Sequence, residues 1–245
     1  MIVAVHAEWL KAVSLRSVRL GLVAFVVAAV GISVGVAASV GDAEAATPDY
    51  DAGLIAFYGL NFGHVAVIVV AVLLTAGEYG RSTISTSLVA VPRRGVFLLA
   101  KVIVVTGLVL VTAAVAALVT VVATQAVLGP AGLPLAELAR PTVAAALYPT
   151  LLAVFCMGLA MMMRDQAGAL SLLIPFFFLV SPLLELVPVL QHVAVFLPDR
   201  AGQVAVRLHA RPIDVFGPLT GLAVLTLWAA AAVFGGWWVL RRRDA

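Results

Sequence analysis

Six long stretches of this chain carry no charged side chain, and they constrain its fold more than any other feature. A helix that crosses a membrane needs about 20 consecutive apolar residues, because the hydrocarbon core is roughly 30 Å thick and each residue rises about 1.5 Å. We therefore predict an all-α integral membrane protein with six transmembrane helices, the third beginning near residue 98. The uncharged stretches span residues 20–40, 54–76, 102–128, 141–163, 167–184 and 215–240.

The amino-acid composition excludes the other broad classes of fold. Of the 245 residues, 64% are hydrophobic and only 11% are charged, whereas a soluble domain carries about 25% charged residues. A membrane barrel would show segments of about 10 residues with alternating polarity, but here the apolar stretches are long and continuous. Water-soluble and barrel folds are both inconsistent with this sequence.

The distribution of basic residues predicts the orientation. Cytoplasmic loops of membrane proteins retain Lys and Arg. Placing the N-terminus inside puts eleven of the fifteen Lys and Arg residues in the cytoplasm, and four outside. We predict a multi-pass protein of the cell (plasma) membrane, with both termini cytoplasmic.

Three stretches outside the six spans are long enough to have structure of their own, within a single transmembrane domain covering 1–245. Residues 1–19 are predicted to form an interfacial helix with Trp9 and Leu10 on one face and Glu8 and Lys11 on the other. Residues 77–94 form the main cytoplasmic segment. Residues 185–214 form an outer segment, predicted to be structured because its stretch 187–197 carries no charge.

Few residues suggest chemistry. The sequence has no nucleotide-binding Gly-x-x-x-x-Gly-Lys-Ser/Thr loop, and its four histidines lack zinc-ligand spacing. No catalytic, cofactor or metal site is predicted, and we do not expect an enzyme. Asn61 and His64, one helical turn apart in the second span, and Glu185, at the outer end of the fifth, are candidates for a substrate path. Asn61 and His64 are equally typical of interhelical hydrogen bonds, and Glu185 of a charge just above the membrane interface.

Glycine pairs predict where helices approach closely. Gly31 and Gly35 in the first span, and Gly59 and Gly63 in the second, form small-xxx-small patterns. Such patterns let backbones come together. Spans one and two are therefore expected to pack there, or to meet a second protomer.

The most informative segment is 77–94. Ser82 can cap a short helix and Pro92 can end it, which places Ile84, Leu88 and Val91 on one face. An apolar stripe on a short cytoplasmic helix needs a surface that buries it. The candidates are lipid headgroups and a groove on another protein.

This arrangement resembles the membrane subunits of type-2 ABC exporters, in particular a short actinobacterial-like form. The matching residues are Glu8–Lys11, Glu78, Tyr79, Thr83, Ile84, Leu88, Pro92–Arg94, Lys101 and Leu197–Pro198. The resemblance implies that the chain forms a substrate path and couples to a separate ATPase. The coupling residues it implies are Glu78, Tyr79, Thr83, Ile84, Leu88, Val91, Arg93 and Arg94.

The same resemblance implies the partners. Two copies of an ABC ATPase subunit would bind ATP and Mg, and a second permease chain, identical or paralogous, would complete the path within membrane lipid; no nucleic acid is expected. Lipids, peptides and hydrophobic drugs all suit such a path. Two other classes stay open: a proton-coupled secondary carrier, and a membrane scaffold or immunity protein that transports nothing.

Overall fold

A computed structural model of the protein describes residues 1–45, 51–80, 93–129 and 132–242. These residues are overwhelmingly helical, so the predicted all-α class is confirmed. In chain order the helices are α1 Ile2–Ser14, α2 Arg16–Ala45, α3 Ala52–Ala56, α4 Leu60–Thr75, α5 Gly77–Gly80, α6 Arg94–Leu128, α7 Leu135–Met163, α8 Gln166–Leu186, α9 Gln191–Ala194, α10 Pro198–Val206 and α11 Pro218–Arg242. Residues 82–91, the expected coupling helix, lie outside the described residues.

Among the described residues, five helices are long and apolar enough to cross a membrane: α2, α6, α7, α8 and α11. They coincide with five of the six predicted spans. Helix α8 continues through a π-helical turn at Phe176–Val180, directly after Pro175. Proline has no N–H to donate, which favours such local rearrangement of the hydrogen-bond ladder.

The second predicted span is divided in two. Helix α4 has 16 residues and so rises about 24 Å, less than the roughly 30 Å of a hydrocarbon core. The turn between α3 and α4 lies against α2, where the Gly59 N–H donates to Ser33 Oγ at 2.9 Å. A Cβ at Gly59 would lie 2.3 Å from the carbonyl oxygen of Ala29. A sixth crossing, by α3 and α4 together, stays a prediction.

The glycine patterns are used unequally. Gly59 and Gly63 both face α2, since a Cβ at Gly63 would lie 2.9 Å from the Phe25 ring. Gly31 and Gly35 have nothing within 4 Å of the position of a Cβ. Of the four glycines of these patterns, only Gly59 and Gly63 lie where α2 and α4 approach closely. Helix α2 contributes Gly21 instead, where a Cβ would lie 2.6 Å from Val70 Cγ2.

Helix α7 is the centre of the bundle. Its most apolar window is 72% buried, compared with 22–33% for the other four long helices. It packs against α4, α6, α8, α10 and α11. The contact with α11 is closest at Gly158, where a Cβ would lie 2.4 Å from the carbonyl carbon of Ala232.

Helix α1 turns its polar face inward. Its buried residues are Ala4, Glu8 and Ala12, which face α6, whereas Trp9 and Leu10 are 41% and 52% exposed. The sequence predicts an interfacial helix with an apolar and a polar face, and in the structure Glu8 of the polar face packs against the bundle. Glu8 and Lys11 contact other helices because their oppositely charged partners, Lys101 and Glu78, lie there.

Candidate functional site

Four charged side chains meet at one end of the bundle, and we call them the four-charge cluster: Glu8, Lys11, Glu78 and Lys101. Lys101 Nζ donates to Glu8 Oε2 at 2.7 Å, to Glu78 Oε1 at 2.8 Å and to the Leu74 carbonyl at 3.1 Å. Lys11 Nζ donates to Glu8 Oε1 at 2.7 Å and to Glu78 Oε1 at 3.0 Å. The cluster joins α1, α5 and α6 with two positive and two negative charges.

The cluster is buried as well as paired. Lys101 is 2% exposed, Glu8 8% and Glu78 9%, and the Lys101 ammonium lies 5.0 Å from the centre of the Phe97 ring. Buried ions are costly to desolvate and persist only with good geometry and further hydrogen bonds. Here each ammonium contacts both carboxylates, so no charge of the cluster is left without an opposite partner.

The pKa values reflect the pairing. Burial favours the neutral form of both Lys11 and Glu78. The hydrogen bonds and charges of the two glutamates outweigh burial and raise the pKa of Lys11 above its usual value. The charges and hydrogen bonds of Lys101 and Lys11 likewise lower the pKa of Glu78. Both groups are therefore held in their charged forms.

The residues around the cluster tie the same end of the bundle together. The Arg164 guanidinium lies 5.5 Å from the centre of the Tyr79 ring and donates to the Val239 carbonyl at 3.3 Å. Arg94 donates to the Leu240 carbonyl at 2.6 Å. These contacts connect α5, the end of α7 and the start of α6 to the end of α11.

The structure describes four of the eight predicted coupling residues. Glu78 lies in the four-charge cluster, Tyr79 beneath Arg164, and Arg94 against the end of α11. Arg93 is exposed at the N-cap of α6. The other four, Thr83, Ile84, Leu88 and Val91, lie outside the described residues.

At the opposite end of the bundle, α4, α8 and α10 enclose a cavity of about 320 Å³, which we call the polar pocket. Its aromatic walls come from Phe62, Phe177 and Phe178. Its polar lining comes from Tyr58, Asn61, His64, Asp199, Arg200 and Gln203. Of the three residues predicted for a substrate path, Asn61 and His64 line this pocket.

A directed chain of hydrogen bonds crosses the pocket. Arg200 can only donate, and it donates to Gln203 Oε1 at 3.1 Å. The Gln203 amide nitrogen therefore donates to Asn61 Oδ1 at 3.0 Å. Asn61 and Gln203 are 142 positions apart, so this contact links α4 to α10 across the pocket.

His64 is buried, and one of its two ring nitrogens lacks a hydrogen-bond partner among the described residues. Its ring contacts the Tyr148 ring at 4.5 Å, edge to face, and its Nδ1 lies 3.4 Å from the Tyr148 hydroxyl. The residue is 3% exposed, and its Nε2 has no hydrogen-bond partner in the part of the chain that the structure describes. His64 therefore lines the pocket while its Nε2 is buried.

Glu185 lies behind the pocket rather than in it. It is paired with Arg200 at 2.6 Å and with Arg211. Arg200 also lies 3.3 Å from Asp199, whose two carboxylate oxygens accept from the Ser181 hydroxyl at 2.8 and 2.6 Å. Burial raises the pKa of Asp199, despite the nearby positive charge of Arg200 and the bond from Ser181.

The outer segment is structured where it meets the bundle. Arg140, at the start of α7, donates to the Ala205 and Arg207 carbonyls at 3.1 and 2.6 Å. Asp51 accepts from the Leu208 and His209 N–H groups at 2.9 and 2.8 Å. The end of α10 is therefore fixed to α7 and to the start of α3.

Several residues of both sites were not predicted as site residues. The sequence indicates Glu8 and Lys11 only as the polar face of an interfacial helix and as part of a family pattern, and Lys101 only as part of that pattern. A single lysine at the start of a 27-residue uncharged stretch is a usable signal, because it needs a carboxylate partner. Arg200 and Gln203 carried no comparable signal, since their roles depend on how α10 packs.

The fold and its two sites define an all-helical protein with the architecture of a multi-pass membrane protein. No protein-family model and no curated protein sequence matches this chain. Among the described residues, no group of three His, Cys, Asp or Glu side chains could hold a metal ion.

Proposed function

We propose that this chain is the transmembrane subunit of an ATP-driven ABC exporter in the plasma membrane, coupled to a separate ATPase through the segment 77–94. The observation that carries the proposal is the four-charge cluster. Glu78 lies near the start of the segment 77–94, and its carboxylate accepts hydrogen bonds from Lys101 on α6 and from Lys11 on α1. A displacement of that segment would reach two other helices through these bonds.

The energetic cost of the cluster supports a mechanical role. Replacing a buried ion pair with apolar residues of similar volume is often neutral or stabilising. In a protein without moving parts, burying Lys101 between two carboxylates would give no net stability over apolar residues of the same volume. Charges that hold the base of a moving segment would transmit its movement to other helices, and this role would offset their cost.

The stripe Ile84, Leu88 and Val91 would supply the contact with the ATPase. Burying each side chain is worth about 1.5–3 kcal/mol, and a helix of about ten residues is marginal by itself. Both considerations favour a docking groove. Two ATPase subunits and two permease chains would complete the transporter, with ATP and Mg bound by the ATPases.

The first experiment tests the coupling. We expect the tagged protein, purified from its native membranes in mild detergent, to carry an ATPase with a nucleotide-binding loop and to stimulate its ATP hydrolysis. The variant Ile84→Asp with Leu88→Asp should lose both properties. The matched control is Ser82→Asp with Thr86→Asp, which adds the same charges at the same spacing on the opposite helical face and should retain both.

The outcome separates the proposal from its rivals. If the Ile84/Leu88 variant keeps the ATPase and its stimulation at wild-type levels, the coupling role is wrong. Transport that persists without ATP and follows a proton gradient would instead indicate a secondary carrier. The thermal unfolding of the variant, measured by the exposure of buried Cys156, should match that of the wild type. This control excludes a folding defect as the cause of the loss.

The polar pocket supports a place for the substrate path. Its aromatic walls suit an apolar body, and Asn61 and His64 offer hydrogen bonds. The pocket's two charged lining residues, Asp199 and Arg200, are paired with each other, so its chemistry favours a small amphipathic molecule without net charge. In vesicles containing the complex, ATP-driven movement of a neutral dye such as Nile red should fall in His64→Leu and be unchanged in His209→Leu, an exposed position. Equal transport by both variants would remove His64 from the path.

A further inference from the structure

A second cavity lies at the end of the bundle that carries the four-charge cluster, between the first turn of α6 and the last turns of α11. Its volume is about 460 Å³, and it is lined by Arg94, Gly95, Trp237 and Arg241. Among the described residues, 1–45, 51–80, 93–129 and 132–242, no acidic side chain lines it. We call it the basic pocket.

The floor of the basic pocket is open because of Gly95. A Cβ at this position would meet only one atom within 4 Å, the indole nitrogen of Trp237 at 3.9 Å. The Trp237 N–H donor therefore lies close to the floor. Arg94 fixes the two helices around the pocket through its 2.6 Å bond to the Leu240 carbonyl.

Two arginines at the end of α11 present their donors without an acceptor. The Arg241 guanidinium lies 4.7 Å from the centre of the Trp237 ring, and that of Arg242 lies 4.0 Å from the centre of the Trp238 ring. Stacking occupies the faces of these planar groups and leaves their N–H edges directed outward. Within the described residues, neither side chain has a hydrogen-bond acceptor or carboxylate partner.

An open cavity lined by the guanidinium of Arg241, which has no acceptor among the described residues, favours an anion with several oxygens. Guanidinium matches phosphate geometry with two parallel hydrogen bonds. Trp237 and Trp238 indicate where that anion comes from, because tryptophan is enriched at the headgroup level of membranes. Basic pockets between transmembrane helices are a known mode of anionic headgroup recognition.

We propose that the basic pocket binds the phosphate diester of an anionic phospholipid headgroup, with Arg241 as the charged donor that lines it, the Trp237 N–H as a neutral donor, and Arg242 as a second positive charge at the same end of α11. The site is independent of any ATPase and of the polar pocket. Inorganic phosphate shares the same oxygen chemistry, so the test distinguishes the two sources.

The experiment uses bromine as a short-range quencher of tryptophan. The full chain, with Trp9→Phe and Trp228→Phe, keeps only Trp237 and Trp238 as fluorophores. It is placed in phosphatidylcholine vesicles that contain a minority of either brominated phosphatidylglycerol or brominated phosphatidylcholine. We expect phosphatidylglycerol to quench in excess of phosphatidylcholine at equal bromine density.

Matched variants separate the pocket from general attraction. Arg241→Gln with Arg242→Gln should reduce the apparent phosphatidylglycerol affinity by about fivefold for each arginine removed. Arg16→Gln with Arg19→Gln removes the same charge from exposed positions at the start of α2 and should leave the excess quenching intact. Both variants should keep the wild-type thermal exposure of Cys156.

Three results would overturn the proposal. The first is equal quenching by the two brominated lipids in the wild-type chain. The second is equal loss in the Arg16/Arg19 control, which would indicate unspecific attraction to an anionic surface. The third is full reversal of the excess quenching by millimolar inorganic phosphate, which would reassign the pocket to a soluble anion.

Discussion

Glu78 and Lys101, 23 positions apart in the chain, meet in a 2.8 Å ion pair between α5 and the buried face of α6. Glu8, 93 positions from Lys101, completes the pair from α1 at 2.7 Å. Three separate elements are therefore held by one buried ammonium group. This relationship has direct consequences for stability.

Removing the buried ammonium should be severe. In Lys101→Met, Glu8 and Glu78 lose the ammonium group that lies between them, and breaking a buried pair typically costs about 3–5 kcal/mol. We expect a loss of this size in the free energy of unfolding in detergent, measured by denaturant titration with a thiol-reactive dye. Cys156, the single cysteine, is fully buried and reports unfolding. Arg19→Met, at an exposed position, is the control, and an equal effect of both variants would contradict a structural role for the cluster.

The cluster also predicts a pH profile. Glu78 has a lowered pKa in the folded protein, so its contribution is present above its unfolded value of 4.5 and is lost as the pH falls through the folded pKa. Lys11 has a raised pKa, so its contribution is present below 10.5 and is lost as the pH rises through the folded pKa. The stabilisation from these two groups should therefore be constant between these limits, and a slope of thermal stability within this range comes from other groups such as Asp199. Glu78→Gln should flatten the acid limb, and parallel acid limbs would count against this assignment.

Asp199 should behave in the opposite sense. Burial raises its pKa, so its contribution to stability is greatest below the unfolded value of 3.8 and is lost as the pH rises through the folded pKa. We expect Asp199→Asn to gain stability relative to the wild type between that value and neutrality. Glu137→Gln, at an exposed carboxylate, should show no such trend. If the wild type instead became more stable relative to Asp199→Asn as the pH rises, the predicted direction of the effect would be wrong.

Close packing of α10 on α7 makes Gly202 intolerant of a side chain. A Cβ there would lie 2.1 Å from Cδ2 of the buried Tyr148 ring, and overpacking costs about 1–3 kcal/mol. Gly202→Ala should therefore lower the free energy of unfolding by that amount. Gly107→Ala, where nothing lies within 4 Å, should be neutral or gain up to about 1 kcal/mol. Equal stability of the two variants would argue against this packing.

The orientation and the sixth crossing can be tested together by labelling. Single cysteines at Glu137 and His209, in a Cys156→Ala background, should react with an impermeant thiol reagent in intact cells. Cysteines at Arg93 and Asp165 should not. All four positions are exposed, so accessibility within the protein is matched. Labelling at Asp165 with protection at Glu137 would reverse the predicted topology.

The existence and extent of the long helices were predictable because they depend on local properties. An apolar stretch of about 20 residues has to satisfy its backbone hydrogen bonds internally in a lipid environment, and a helix does so. Helix α4 was the exception. Its stretch is as apolar as the others, but the contact of Gly59 with α2 interrupts it, and that contact is not local.

The sites were predictable only in part, because they depend on the rotation of each helix. Asn61 and His64 are polar groups in an apolar stretch, a signal that is visible without a structure. Their partners were not visible. Tyr148 lies in a helix that is apolar all round and carries no stripe to show which face packs, and the contact of Gln203 depends on how α10 packs against α4.

The sequence by itself determined the class of this protein, its apolar helices and a short list of polar residues in and between them, because hydrophobicity and charge act residue by residue. Only the tertiary structure decided that Glu8 and Lys11 turn inward to Lys101, that Arg200 connects Glu185 to the polar pocket, and that Arg241 lies beside Gly95. Each of these contacts joins residues far apart in the chain. They depend on how closely the helices approach, and small residues such as Gly59, Gly158 and Gly202 set that distance.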